Sequence, residues 1–289
     1  MSERPFRFGV HLGAVHELAA SARAAEEAGF DIVTAADHVG HQSPFLSLAV
    51  AAAVTSRVRL RTYVLDVGFW NPGLLARAVA TLDAVSGGRV DLGLGAGHMR
   101  HEHEDVGIDF PPPAQRLARM EATALEVRER LGRPGHKPAA VQQPVPLVIG
   151  AMSSTGLAIA ARHAEVVAFS GAVQVKGEPP GTFTLTDATF TDERVAAVRA
   201  QAGGREQEFD GLLQLVDVRC EPAAKAAELA ATFSMAPELI LDTPFILLAS
   251  SPQDAVRQLH ERRERWGITS WCTHPKSGPA LAEVCAFFR

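Results

Sequence analysis

Apolar and polar positions follow two rhythms that take turns along this chain. Phe6-Arg7-Phe8-Gly9-Val10-His11 alternates at period two and predicts a first strand. Glu17–Ala28 then sets Leu18, Ala22, Ala25 and Ala28 on one helical face and stops at Gly29. The exchange repeats with a strand at Asp31–Ala35, a helix at Pro44–Thr55 that opens on a proline, a strand at Val58–Val64 and a helix from Asn71-Pro72. Further on, the pattern predicts helix over Gln115–Leu131, strand over Pro146–Gly150, helix over Thr155–Ala164 and strand over Glu165–Phe169. A helix at Glu193–Ala202, a strand at Leu212–Cys220 and a helix at Ala223–Phe233 follow. The helix Pro252–Trp266, the strand Ile268–Thr273 and the helix Pro279–Phe288 end the series, and Pro244–Ala249 is an apolar run of ambiguous type.

The organising stretch is Val79–Gly97, VATLDAVSGGRVDLGLGAG. Ala78, Val79, Leu82 and Val85 continue a helix, Ser86-Gly87-Gly88 ends it, and Arg89–Leu94 reads as a buried strand. Gly93, Gly95 and Gly97 then remove side chains from alternate positions. Such a run either makes a tight bend or lets a flat ligand or phosphate lie on bare backbone.

Strictly alternating strands and helices with short connections imply a parallel sheet, and eight strands imply a TIM barrel formed by residues 1–289 as one domain. His98–Pro113 and Phe169–Asp187 break the rhythm. Both follow strands at the end where barrels build their sites, and Ser170–Thr186 reads as a long loop.

Composition narrows the class. The 289 residues carry a formal charge of -5, with 47% hydrophobic and 21% charged positions, as in an ordinary soluble globular protein. Mild acidity argues against nucleic acid and anionic membrane surfaces as partners. Cys220, Cys272 and Cys285 lie far apart and form neither a disulfide framework nor a zinc ribbon. MSERPFRFG has no apolar signal core, and LSLAVAAAV is shorter than the ~20 residues a bilayer needs, so a cytoplasmic location is expected.

Several residues carry candidate chemistry. Asp37-His38 ends the second strand. Ser153, Ser154 and Thr155 stand where a strand gives way to a helix, so they are an anion site or a helix cap. The run His98–Asp105, HMRHEHED, invites a metal. Yet His11-Leu12-Gly13 lacks the second ligand of a barrel hydrolase and no H-E-x-x-H occurs, so a structural or lid role is expected and no metal site. His11 either faces the mouth or packs in the core, and Phe69-Trp70 line either a pocket or an interface. Glu261–Trp266, ERRERW, reads as a solvated face.

AEEAGFDIVTAADH, NPGLLARAVATLDAVSGGRVDLGLGAG and PLVIGAMSSTGLAIAARHAE, in this order, resemble the luciferase-like flavin and deazaflavin oxidoreductases. SSPQDAVRQLHERRERWGI resembles that family's penultimate helix, and the subgroup most similar uses coenzyme F-420. The resemblance implies a TIM barrel, a homodimer, and a tricyclic cofactor in the mouth. It places Asp37-His38 over the reactive part of the ring and Tyr63-Val64, through a cis peptide bulge, behind it. It lays Gly95-Ala96-Gly97 along the ring edge, and gives the phosphate to Gly150-Ala151-Met152-Ser153 and Ser170-Gly171. Ala151-Met152 replaces the family's Gly-Gly pair, His98 stands where related enzymes carry Glu or Trp, and Lys176 and Lys276 are candidate phosphate cations. The implied reaction is hydride transfer between deazaflavin C5 and an organic substrate that carries an activated C=C, C=N or C=O, or, in the reverse sense, an alcohol. His38 would then be acid or base, Asp37 its orienting partner and His98 a second proton-transfer group. The alternatives are an FMN-dependent monooxygenase and a cofactor-binding protein without turnover.

Overall fold

The computed structural model describes residues 5–179, 181–233 and 235–289. Met1–Arg4 of the N-terminal stretch and Pro180 of the expected 170–186 loop lie outside the described residues. Eight parallel strands form the centre: β1 (Arg7–His11), β2 (Ile32–Ala35), β3 (Arg59–Thr62), β4 (Val90–Gly95), β5 (Leu147–Gly150), β6 (Val166–Phe169), β7 (Glu208–Leu213) and β8 (Ile268–Thr273). Their order is β3-β2-β1-β8-β7-β6-β5-β4, and β4 returns to β3 through Leu60↔Val90 and Arg61↔Asp91, which closes a TIM barrel.

Around it run α1 (Leu18–Ala28), α2 (Pro44–Val54), α3 (Pro72–Ser86), α4 (Arg100–Asp105), α5 (Pro113–Gly132) and α6 (Ser154–His163). Then come α7 (Ala188–Gln201), α8 (Pro222–Phe233), α9 (Pro237–Asp242), α10 (Pro252–Trp266) and α11 (Gly278–Cys285). Local chemistry sets these limits. Asn71 accepts from the amides of Gly73 and Leu74 at the start of α3, and Gly87 ends it in the left-handed region at φ 70°.

Three expectations are corrected and one ambiguous run is resolved. The seventh strand is Glu208–Leu213, not Leu212–Cys220. Leu215–Asp217 instead pairs in parallel with Ile246–Leu248, which resolves the ambiguous apolar run as a small separate sheet. The segment after β4 contains α4, and the expected long loop contains an antiparallel hairpin, Ala172–Gln174 with Phe183–Leu185. ERRERW is not solvated throughout: Arg262 and Trp266 are buried, and the Arg262 guanidinium donates to the Ile246 carbonyl at 2.7 Å beside the Trp271 ring.

The barrel floor is ionic. Arg61, wholly buried, donates to Asp210 at 2.7 Å and to Asp91 at 3.2 Å. Asp210 also accepts from Ser270 and from the Tyr63 hydroxyl, and Arg7 pairs with Glu208. Burial disfavours charge on both Asp91 and Arg61. The ion pairs outweigh it, so Asp91 is held below the usual carboxylate range and Arg61 is pushed up.

Candidate active site at the barrel mouth

The mouth is shaped first by glycines. β3 parts from β4 after Thr62, and the Thr62 hydroxyl replaces the missing ladder by donating to the Gly93 carbonyl at 2.9 Å and accepting from its amide at 2.7 Å. The next peptide, Tyr63-Val64, is cis. A Cβ on Gly93 would stand 1.9 Å from the Thr62 oxygen, and one on Gly95 would stand 2.7 Å from the Val64 side chain. A Cβ on Gly150 would likewise stand 3.2 Å from the Val64 side chain. The glycines of β4 therefore make room for the β3 bulge. Gly97, at φ 76°, lies so close to the Asp66 carboxylate that a Cβ there would be 2.1 Å away. The Tyr63 hydroxyl points down to Asp210, so what Tyr63 offers the mouth is backbone.

Asp37 and His38 end β2 but diverge. Asp37 accepts from the Trp70 indole at 2.8 Å and the Asp66 amide at 3.3 Å, and burial raises its carboxyl above the usual range. His38 turns elsewhere, and its Nδ1 lies 2.7 Å from Glu102. The expectation that Asp37 orients His38 is thus corrected, because neighbouring side chains on an extended segment leave it in different directions. Glu102 comes from α4, a buried carboxylate that no spacing in the sequence links to His38. The next residue, His103, is also buried and spans the Asp66 carboxylate (2.8 Å) and the Asp109 carbonyl (3.0 Å). His98 is exposed on the lip, its ring 5.5 Å from that of His38 and 5.2 Å from that of Phe183 on the hairpin. Among the described residues, no group of three or more His, Cys, Asp or Glu could hold a metal ion.

On the β1–β8 side, His11 does face the mouth. Its Nδ1 meets the Thr34 hydroxyl, and its ring lies 5.1 Å from His274. Burial, reinforced by His274, lowers His11 to about 3, and burial lowers His274. Gln214 ties His274 to the loop after β6 by accepting at 3.2 Å while donating to the Ser170 carbonyl at 2.8 Å. Trp70 packs against Phe45, while Phe69 packs on His103.

The second half of the mouth lies where β5 and β6 end. Ser153 caps α6 by accepting from the Gly156 amide at 3.2 Å. The Ala151 amide is taken by the Ala168 carbonyl at 3.2 Å, and Gly171 is free of a side chain because Phe245 fills that space. The cation at this corner is Arg194 of α7, which donates to the Ser154 hydroxyl at 2.8 Å and leaves its Nε without a partner. Lys176 stands exposed on the hairpin and Lys276 exposed after β8. Arg194 carries no sequence signal, since it belongs to an otherwise ordinary polar helix.

These features define a TIM-barrel protein whose functional groups gather at the carboxyl ends of its strands. The family profile for luciferase-like monooxygenase matches residues 5–178. An F420-dependent glucose-6-phosphate dehydrogenase of Nakamurella multipartita is 31% identical over 273 residues, covering 82% of this chain and 76% of its own. A 5,10-methylenetetrahydromethanopterin reductase of Archaeoglobus fulgidus is 26% identical over 237 residues, covering 76% and 67%. The solved structure of an F420-dependent secondary alcohol dehydrogenase in complex with an F420-acetone adduct shares the fold, with a TM-score of 0.74, 17% identity and coverage of 99% and 100%. The chain belongs to the luciferase-like monooxygenase family.

Proposed function

We propose that this protein is a coenzyme F420-dependent oxidoreductase acting on a small hydroxyl- or carbonyl-bearing compound. The observation that carries the reading is the 31% identity, over most of both chains, to a relative named for F420-dependent dehydrogenation. The residues fit such a group. Val64, with Gly95 and Gly150 clearing space beside it, offers a smooth apolar wall. Ser153 and Ser154 at the start of α6, with the Arg194 guanidinium beside Ser154, suit a phosphate.

When bound, the deazaflavin supplies a carbon that gives or takes a hydride. The protein's part is orientation and proton movement. His38 faces the mouth at 32% side-chain exposure and is the group for accepting or donating the substrate proton at Nε2. His98, exposed on the lip and edged by Phe183, borders the substrate rather than the cofactor's phosphate.

The test uses Trp70, whose indole bonds to Asp37 and so reports on the mouth. Oxidised F420 and FMN are titrated separately against tryptophan fluorescence, and the F420 complex is then mixed with glucose 6-phosphate and with simple secondary alcohols. Tight F420 binding, weak FMN binding and loss of F420 absorbance with an alcohol support the reading. Preference for FMN would replace it with the monooxygenase.

A further inference from the structure

We propose that Glu102 is the positioning residue of His38. It holds the imidazole as the Nδ1–H tautomer and so presents the Nε2 lone pair to the mouth as a proton acceptor. This rests on the reading of His38 as the group at the reacting atoms, but its geometry stands apart from any cofactor.

An ionised carboxylate can only accept a hydrogen bond. At 2.7 Å from Glu102, His38 Nδ1 must therefore carry the proton. The bond is sheltered on the acceptor side, since the Glu102 side chain is 8% exposed. The other groups around His38 do not compete for Nδ1. Asp37 is committed to Trp70 and the Asp66 amide, and His41 and His98 approach by ring edges, with centroids 5.7 and 5.5 Å away. An imidazole fixed in this way keeps a defined acceptor nitrogen, where a free one would divide between tautomers and rotate.

The carrier of Glu102 is itself fastened. His103, the next residue of α4, is buried between Asp66 and the Asp109 carbonyl, with the rings of Phe69 and Phe110 4.7 and 5.0 Å away. Asp66 in turn meets Asp37 through its amide. One turn of helix thus reaches both neighbours, His38 directly through Glu102 and Asp37 through His103 and Asp66. A six-residue helix is marginal alone, and these buried polar bonds give it a fixed place. The acceptor nitrogen suits a substrate that loses a proton, so the site is set for oxidation of an alcohol to a carbonyl. An alcohol oxidised here would lose its O–H proton to His38 Nε2, and F420, when bound, would supply the acceptor for the hydride leaving the carbinol C–H.

The test reads the tautomer directly. The full-length protein is labelled with 15N at histidine, His38 is assigned from the signal lost in His38→Gln, and long-range 1H–15N spectra report which ring nitrogen is protonated. Wild type should show His38 as Nδ1–H. In Glu102→Ala the signal should move to a mixture dominated by Nε2–H, and Glu102→Gln, which keeps an oxygen acceptor, should retain Nδ1–H. With F420 and an alcohol, Glu102→Ala should lower kcat about tenfold or more with little change in KM. Nε2–H in the wild type overturns the proposal, and so does an unchanged tautomer in Glu102→Ala. If the alanine variant fails to fold, Glu102→Leu, which also lacks an acceptor, is read in its place, and an unchanged tautomer there overturns the proposal in the same way.

Discussion

The ionic floor of the barrel allows a prediction with a worked magnitude. Asp210 is fully buried and holds Arg61 at 2.7 Å, with the hydroxyls of Tyr63 and Ser270 on the same carboxylate. At an effective dielectric of about 20, a charge pair at that separation attracts by about 6 kcal/mol before desolvation is counted. Truncation in Asp210→Ala leaves Arg61 to share Asp91 with Arg59, since both guanidiniums reach that carboxylate. Breaking a buried pair from one side costs about 3–5 kcal/mol, because an uncompensated charge stays inside. With a urea m-value of about 3 kcal/mol per molar, the unfolding midpoint falls by about 1 M or more. The assay is equilibrium unfolding followed by tryptophan fluorescence, with Trp271 in the barrel wall as a reporter. The double variant Arg61→Met, Asp210→Ala should recover at least about 1 kcal/mol of the loss, since no unpaired charge remains while Arg59 still neutralises Asp91. A loss below about 1 kcal/mol in Asp210→Ala, or no recovery in the double variant, would refute the reasoning.

Three further outcomes are expected. Gly93→Ala should destabilise by about 1–3 kcal/mol in the same assay, because its Cβ would meet the Thr62 backbone oxygen at 1.9 Å. The folded protein keeps His11 neutral down to about 3, while the unfolded chain protonates it near its ordinary value of about 6.5. The unfolded state therefore binds more protons between those values, and stability falls as pH drops through that window. His11→Gln should flatten the slope of stability against pH there, and an unchanged slope would contradict the assignment. Arg194→Ala should weaken F420 binding about tenfold, more at low salt than at high, as titration at two ionic strengths would show. Equal affinity would remove Arg194 from the proposed phosphate site.

Most of the barrel was legible because its strands are short apolar runs bounded by glycine and proline. The seventh strand was not. EFDGLL turns Glu208 and Asp210 inward to meet Arg7 and Arg61, so its period-two pattern carries charge on the buried face. The apolar alternation further on, around Leu215, belongs to a different sheet. At the site, Asp37 and His38 were legible as a pair of residue types at a strand end, but their partners were not. Glu102 lies 64 positions from His38, on a helix whose sequence RHEHED has no apolar period to announce it. The glycine run was legible as special backbone, and its cause is a neighbouring strand rather than a bend. Arg194 is defined by the approach of α7 to α6, which only the packing reveals.

The two insertions at the mouth have different mechanical ties, and this bears on how the protein could be re-engineered. The segment carrying α4 is locked to the barrel by Glu102 on His38 and His103 on Asp66, so exchanging it would disturb His38 and Asp66 themselves. The hairpin after β6 meets the lip through Phe183, a residue 39% exposed that rests edge-on against His98. It is the natural cassette for grafting. Variation at Phe183 and His98 would reshape the entrance, while the His38–Glu102 pair beneath keeps its setting.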